Sequence, residues 1–170
     1  IGYRNMFLDL GNDASPSKKG IKEVSDHDGP LLRVNIYKGA DLPAADKNGL
    51  SDPYITLYFG GWKSKTKVIK KTLNPSWNTY FCLPFETCTC TLTLADSVAE
   101  FSVYDKDAIG SDLLGVVRVP LREYFNLDPE YDDDGNLQPK KVRLKKKLEE
   151  AEKGKLFIGL ELHNYDKLIE

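Results

Sequence analysis

The stretch LRVNIYKGADLPAADKNGLSDPYITLYF, residues 32–59, contains two alternating apolar segments separated by a polar loop. Every second residue is apolar from Leu32 to Ile36, and again from Ile55 to Phe59. A period of two places alternate side chains on opposite sides of a strand, so each segment is predicted to be a β-strand with one buried face. The residues between them are rich in Gly, Pro, Asp and Asn, which favour turns.

Similar short segments continue to the C-terminus, and turn-forming residues separate them. Together they predict strands at 31–38, 53–59, 65–71, 79–85, 99–104, 113–119, 140–146 and 155–163. Short strands at this spacing predict an all-β protein, specifically an antiparallel β-sandwich. Only LREYFNL (121–127) and KLEEAEK (147–153) have a helical pattern, and both are short.

The chain of 170 residues fits one domain of ordinary size. Residues 1–29 are polar and rich in turn formers, so we expect an N-terminal extension or linker there, a domain at 30–166 and a tail at 167–170. We also expect the chain to be part of a longer protein. No apolar run approaches about 18 residues, so no membrane-spanning helix is predicted. The net charge of −2 does not favour nucleic acid as a partner.

Three cysteines are an odd count in a chain of this size. They favour free thiols and a reducing compartment, hence a cytoplasmic location. Two of them, Cys88 and Cys90, share one apolar side of TCTCTLTL (87–94), which is typical of a buried strand face.

Five aspartates occur in two predicted loops: Asp46, Asp52, Asp105, Asp107 and Asp112. Counting strand reversals puts loops 39–52 and 105–112 at the same end of the sandwich, provided that 86–98 adds no net reversal. We therefore interpret 86–98 as an excursion, a hairpin or a long turn.

Five converging carboxylates repel one another unless something neutralises them. Oxygen ligands without His or Cys suit a hard cation, and calcium accepts many carboxylate oxygens. Two calcium ions would bring four positive charges to five carboxylates. The preference of Asp for turns explains any one of these residues, but not five of them on two loops. An EF-hand is excluded because Val116 stands where its final Glu is needed and the flanking segments are strand-like.

Residues 32–59, KTKVIKKTLNPSWN (65–78) and FSVYDKDAIGSDLLGVVRVPL (101–121) carry a family resemblance. Their motifs SDPY, TLNPSWN and YDKDxxxxDLLG resemble those of a C2 domain, the calcium and lipid module of synaptotagmins, protein kinases C and ferlins. The resemblance implies an eight-stranded antiparallel sandwich with three calcium-binding loops at one end. The last strand resembles the circularly permuted type II topology, in which it takes the place of an N-terminal strand.

The resemblance also implies particular site residues. The five aspartates match the family's acidic calcium ligands, and the carbonyl groups of Ala45 and Lys106 resemble its backbone ligands. Lys65 and Lys67 match the basic strand with which protein kinase C domains bind phosphoinositide headgroups. The aromatic partners of that strand match Tyr54 and Tyr104.

The basic strand has two interpretations. Lys63, Lys65 and Lys67 alternate on one side of the predicted strand, where they form either a solvated edge or an anionic-lipid site. Thr56 and Tyr58 occupy the neighbouring positions at which the phosphoinositide-binding domains carry lysine. At the loop tips, Lys47 and Ile109 are the candidates for touching lipid. A second basic run, KKVRLKKK (140–147), is interpreted as a solvated strand face.

The sequence thus leads to one main hypothesis, calcium-dependent binding of anionic phospholipid membranes, which targets a larger trafficking or signalling protein. The expected lipid is phosphatidylserine, with phosphoinositide as a second target, and the expected location is the cytosolic face of membranes when calcium is bound. The alternative is a calcium-stabilised domain that binds a protein partner. An enzyme is not expected, because no nucleophile motif, paired His or glycine-rich phosphate loop is present.

Overall fold

The computed structural model describes Val24 and residues 27–85 and 92–168. Within these residues the chain forms eight β-strands. They are β1 (Leu31–Ala40), β2 (Pro53–Phe59), β3 (Trp62–Lys65), β4 (Ser76–Pro84), β5 (Val98–Lys106), β6 (Ser111–Pro120), β7 (Lys140–Lys147) and β8 (Lys155–His163). Short 3-10 helices follow β6 at Leu121–Glu123 and β8 at Tyr165–Lys167. No helix in the described residues has the length and apolar character needed to cross a membrane.

The strands form two four-stranded sheets that pack face to face. Sheet A has the order β4-β1-β8-β7, sheet B has the order β3-β2-β5-β6, and all pairings are antiparallel. The C-terminal β8 lies between β1 and β7, as expected for the permuted topology. The predicted eight-stranded sandwich is therefore confirmed.

Alternating side chains of both sheets fill the space between them. The inward set of β1, Leu32, Val34 and Ile36, is fully buried. Ile55 and Leu57 of β2 oppose them from sheet B and are also fully buried. Burying an aliphatic side chain of this size contributes about 1.5–3 kcal/mol to folding stability. The apolar residues at every second position are therefore a main source of the stability of the sandwich.

One irregularity in β1 alters its outer side. The register of β1 with β8 shifts between Ile36 and Lys38, so that Tyr37 is an extra, bulged residue. A bulge of this kind bends a strand and redirects side chains. Lys38 lies opposite Phe157 on the solvent side of sheet A.

The predicted strand at 65–71 is wrong in its bounds, because β3 ends where that strand was expected to begin. Residues 66–69 still form hydrogen bonds with β2, but their register with β2 is irregular. The amides of Thr66 and Ile69 donate to the carbonyl oxygens of Ile55 and Pro53 at 2.8 and 3.0 Å, so three residue steps face two on β2. The hydroxyl of Thr66 also accepts the amide proton of Ile55 at 2.9 Å, which replaces a backbone partner.

Neither predicted helical segment forms an α-helix. In 121–127 only a single 3-10 turn forms, at Leu121–Glu123, and 148–153 is a connection of bends between β7 and β8, with an isolated bridge from Glu149 to Val116. Both segments are too short for a helix to form without strong tertiary support.

The connection between β4 and β5 passes from sheet A to sheet B. Its described part, 92–97, contains a turn and no strand, whereas 86–91 and hence most of the predicted strand at 87–94 lie outside the described residues. The loops that follow β1 and β5 therefore lie at the same end of the sandwich. Most of the predicted linker at 1–29 and part of the tail are also outside the described residues, and the domain boundaries at 30 and 166 stay predictions.

Candidate functional site: an acidic cluster between three loops

Three loops meet at one end of the sandwich and are joined by backbone hydrogen bonds. The amide of Lys106, at the end of β5, donates to the carbonyl oxygen of Asp52 at 3.0 Å. The amide of Lys71, in the connection from β3 to β4, donates to Oδ1 of Asp52 at 2.7 Å. The amide of Thr72 donates to the carbonyl oxygen of Ser51 at 2.9 Å. Asp52 thus ties the loop after β1 to the other two.

Three of the predicted ligands converge most closely. Asp46, Asp105 and Asp107 each offer a carboxylate oxygen, and these atoms all lie within 4.8 Å of one another. Asp105 is fully buried, and its Oδ2 has no hydrogen-bond partner among the described residues. Burial raises the pKa of Asp105, and the negative charges of its acidic neighbours add to the effect. An ionised carboxylate here lacks both solvent and a positive partner.

The other two aspartates lie beside this group. Asp112 pairs with Asp105 across β5 and β6. Desolvation raises the pKa of Asp107, and the charges of Asp112 and Asp105 raise it further. Asp52 contributes negative charge to the environment of Asp105 but uses Oδ1 to accept the amide proton of Lys71. All five aspartates are therefore in one electrostatic cluster, which we call the acidic cluster.

The loop that carries Asp46 is held by a residue that the sequence did not single out. The buried hydroxyl of Ser51 donates to the carbonyl oxygen of Pro43 at 2.8 Å and accepts the amide proton of Ala45 at 3.0 Å. The amide of Asp46 donates to the carbonyl oxygen of Leu50 at 2.9 Å. The motif SDPY contained this signal, because its Ser directly precedes a predicted ligand.

The residues present fit a hard cation. All side chains of the cluster offer carboxylate oxygens, which calcium prefers. The partnerless oxygen of Asp105 and the raised pKa values of Asp105 and Asp107 show that positive charge would relieve the cluster. The predicted backbone ligand Ala45 directly precedes Asp46, and Lys106 lies between Asp105 and Asp107.

Beside this end, the outer side of sheet B carries lysines over aromatic rings. Nζ of Lys63 lies 5.6 Å from the ring centroid of Tyr58, and Nζ of Lys65 lies 5.8 Å from that of Tyr54. The rings of Tyr54 and Tyr104 stack with centroids 5.5 Å apart. Of the two predicted aromatic partners, Tyr54 thus lies beneath Lys65, and Tyr104 stacks on Tyr54.

Lys67 does not belong to the same strand, contrary to the predicted alternation of three lysines. β3 ends at Lys65, and Lys67 lies on the irregular segment beyond it. Its side chain is exposed, while its carbonyl oxygen accepts the indole proton of Trp77 at 3.0 Å. The backbone of Lys67 is thus fixed although its side chain is not aligned with Lys63.

The two candidate tip residues project from the loops of the acidic cluster. Ile109 is 95% exposed, the highest value among the large apolar side chains of the described residues. It precedes Gly110, whose φ of 86° lies in the region that favours glycine. Lys47 is also exposed and follows Asp46 directly. An apolar side chain and a basic one therefore lie at the same end as the cluster.

Comparison with known proteins agrees with this architecture. The family model described as C2 domain matches residues 30–138. The multiple C2 and transmembrane domain-containing protein 2 of Mus musculus is 36% identical over 148 residues, which is 86% of this chain and 14% of the mouse protein. FT-interacting protein 7 of Oryza sativa subsp. japonica is 33% identical over 129 residues, covering 76% of this chain and 16% of the rice protein.

Solved structures show the same fold. A C2 domain of a plant extended synaptotagmin 1 aligns with a TM-score of 0.57 and 25% identity, covering 76% of this chain and 91% of that domain. A calcium-bound pair of C2 domains from extended synaptotagmin 2 aligns with a TM-score of 0.59 and 27% identity, covering 78% of this chain and 45% of that one. This chain thus spans only a small part of the curated relatives, but a family model covers more than half of it. The protein therefore belongs to the C2 domain family.

Proposed function

We propose that this C2 domain binds anionic phospholipid membranes in a calcium-dependent manner and so targets a larger trafficking or signalling protein to the cytosolic face of a membrane. The observation that carries the proposal is the buried Asp105, whose Oδ2 has no partner among the described residues and whose carboxylate is clustered with those of Asp46 and Asp107. A carboxylate in this state is costly unless a cation binds. The match to a calcium-bound extended synaptotagmin 2 structure supports calcium as that cation.

The acidic cluster itself opposes contact with an anionic surface. Its five aspartates and the backbone carbonyl groups of Ala45 and Lys106 would hold the calcium, with two ions as the expected number. Bound calcium supplies positive charge and coordination positions for lipid phosphate oxygens. Outside the five aspartates the chain has 24 basic and 21 acidic residues, so neutralising the cluster leaves a surface that favours anionic lipid.

Basic and apolar side chains around the cluster would complete the contact. Lys47 and Ile109 are at the loop tips. Insertion of Ile109 into the interfacial region of the membrane would be favourable, because it removes apolar surface from water. Lys63 and Lys65 lie to the side on β3, each over a tyrosine ring, with Lys67 just beyond the strand. Each such lysine near an anionic leaflet contributes about 1 kcal/mol.

Vesicle sedimentation tests this function. Phosphatidylcholine vesicles with and without phosphatidylserine are mixed with the protein in calcium or in EDTA. We expect sedimentation only with phosphatidylserine and calcium together. The variant Asp105→Asn with Asp107→Asn should lose it, whereas Asp41→Asn, an exposed aspartate outside the cluster, should keep it.

The same assay separates the second hypothesis. If calcium raises the melting temperature but never promotes vesicle binding, the cluster is a stabilising calcium site in a domain that binds protein. If calcium changes neither the melting temperature nor vesicle binding, the cluster is not a calcium site and the proposed function is wrong.

A further inference from the structure

β7 is the edge strand of sheet A, and basic and apolar residues alternate in its middle part, 141–145. It is hydrogen-bonded to β8 alone among the described strands. Its solvent-facing side chains are all basic and exposed: Lys141, Arg143, Lys145 and Lys147. Between them Val142 and Leu144 point inward, yet they are only partly buried against the core. The free edge thus borders a strip of incompletely covered apolar surface.

Arg143 and Lys145 of this edge, and Lys38 of β1 beside them, lack acidic partners among the described residues. Lys145 places Nζ 5.7 Å from the ring centroid of Phe157, and Lys38 places Nζ 4.8 Å from the same ring. The guanidinium of Arg143 lies 5.5 Å from the ring centroid of Tyr37. Among the described residues none of these three cations forms a salt bridge. Two ammonium groups on one ring repel each other, so a nearby anion would stabilise them.

On the outer side of β8, Glu161 lies opposite Lys141, and its carboxylate is already engaged. Glu161 forms salt bridges with Arg33 at 3.3 Å and with Lys141 at 3.1 Å. Its pKa is lowered by these cations, although burial opposes the shift. Glu161 therefore neutralises Lys141 and leaves the part of β7 from Arg143 onward positively charged.

We propose that β7 binds an extended acidic segment of a partner protein, which adds to sheet A as a fifth strand. An added strand would pair its backbone with the free edge of β7. Residues at every second position would lie about 4.5–5.5 Å from Arg143 and Lys145, the distance at which cross-strand charges attract. The residues between them would cover Val142 and Leu144. The expected segment therefore alternates acidic and apolar residues.

An anionic membrane fits this surface less well. A bilayer offers no backbone partner for the edge and no ordered apolar side chains for Val142 and Leu144. The outer sides of the two packed sheets point in opposite directions, so a membrane that contacts Lys63 and Lys65 on sheet B lies away from the outer side of sheet A. Edge lysines also prevent two like edges from pairing, which disfavours a second copy of this chain as the occupant.

Fluorescence anisotropy with a labelled peptide of about eight residues, alternating Glu and Val, tests the proposal on the whole chain. We expect saturable binding that weakens with salt. Arg143→Glu with Lys145→Glu should weaken it about tenfold or more, since two attractive contacts become repulsive. Lys63→Glu with Lys65→Glu on sheet B is the matched control and should leave it unchanged. If the first variant does not fold, Arg143→Gln with Lys145→Gln replaces it.

Two further peptides distinguish strand addition from simple charge attraction. A peptide with the same composition but with Glu and Val in separate blocks should bind more weakly. So should the alternating peptide with methyl groups on every second backbone nitrogen, because it cannot pair with the edge. Equal binding of all three peptides would contradict the added strand. Absence of peptide binding, with phosphatidylserine vesicles in EDTA binding only when Arg143 and Lys145 are intact, would instead make this face a membrane site and overturn the proposal.

Discussion

The backbone amide of Asp52 donates a hydrogen bond to Oδ1 of Asp105 at 2.5 Å. This contact joins the loop after β1 to the end of β5, and the amide of Lys106 returns a bond to the carbonyl oxygen of Asp52. One oxygen of Asp105 therefore holds the two loops together, while the other has no partner in the described residues. Oδ1 of Asp105 thus links the two loops, whereas Oδ2 is available to a cation, and substitution can test this division.

Asp105→Asn combined with Asp107→Asn should abolish the heat of calcium binding in isothermal titration calorimetry and leave the fold intact. Asparagine keeps a carbonyl oxygen that accepts the amide proton of Asp52, so the link between the loops survives. The charge on both residues is lost, and neutral amide oxygens bind calcium much more weakly.

Asp41→Asn is the control for this titration. Asp41 is exposed, belongs to the same loop as Asp46 and forms a salt bridge with Lys153 at 3.4 Å. Its heats should match those of the unsubstituted protein. Unchanged heats in the double variant would show that calcium binds elsewhere.

The acidic cluster should also give a characteristic pH dependence of stability in EDTA. The pKa of Asp105 is raised in the folded protein, mainly by burial, from an ordinary value of 3.8. The folded state therefore holds this proton more tightly than the unfolded state, and the stabilisation is lost as pH rises through the raised pKa. Asp105→Asn does not titrate at this position, so its melting temperature should rise relative to that of the unsubstituted protein as pH increases above the ordinary pKa of 3.8.

Asp132 provides a control of opposite sign. Its pKa is lowered, chiefly by the backbone amide and side chain of Asn136. A carboxyl with a lowered pKa stabilises the fold above its unfolded pKa and loses this contribution as pH falls. Asp132→Asn should therefore lower the melting temperature at pH values above the ordinary pKa of 3.8, and this difference should shrink as pH falls below that value. Parallel curves for both variants and the unsubstituted protein would contradict these assignments.

The alternation in residues 32–59 was enough to predict the sandwich, because a period of two fixes which side of each strand is buried. The end at which the acidic loops lie also followed from counting reversals. The bounds of β3 did not follow, since Thr66 replaces a backbone hydrogen bond with its side chain and no local pattern announces that exchange. The separation of Lys67 from Lys63 and Lys65 is a direct consequence.

The candidate site was predictable as a set of carboxylates but not in its internal order. Sequence spacing treats the five aspartates alike, whereas the structure buries Asp105 fully and leaves Asp112 exposed. The role of Ser51 depends on contacts with Pro43 and Ala45, which form only when the loop closes. Such tertiary contacts leave no periodic pattern in the sequence, so the role of Ser51 could not be predicted from periodicity.

Ser51→Ala should weaken calcium binding without removing any ligand. Its hydroxyl makes two buried hydrogen bonds that shape the loop of Asp46, and losing a hydrogen bond of this kind costs about 1 kcal/mol, or roughly fivefold in affinity. Calorimetric titration measures the change. Ser76→Ala, at an exposed position at the start of β4, should show no effect. An equal affinity in Ser51→Ala would mean that the loop closes without this hydroxyl.

Lys65 of β3 and Lys67 just beyond it should differ from the loop tip in what they recognise. Replacing Lys65 and Lys67 with Ala should weaken binding to phosphoinositide vesicles more than to phosphatidylserine vesicles in calcium. The reason is geometric, because phosphatidylserine can be held at the acidic cluster, whereas lysines at the side suit a larger and more highly charged headgroup. Ile109→Ala should instead weaken both equally, by about 1–2 kcal/mol, since insertion of an apolar tip does not depend on the headgroup.

The control for these vesicle experiments replaces Arg122 and Lys167 with Ala. Both are exposed and lie beyond the ends of β6 and β8 that are remote from the acidic cluster. These substitutions remove the same net charge as those of the lysine pair, so a general effect of charge would appear in both variants. Such an effect should weaken as salt is added, because exposed charges are screened over about 8–10 Å at physiological ionic strength. Equal losses in the two variants, or a lysine pair that is neutral on phosphoinositide vesicles, would reduce β3 to a solvated edge strand whose lysines prevent aggregation.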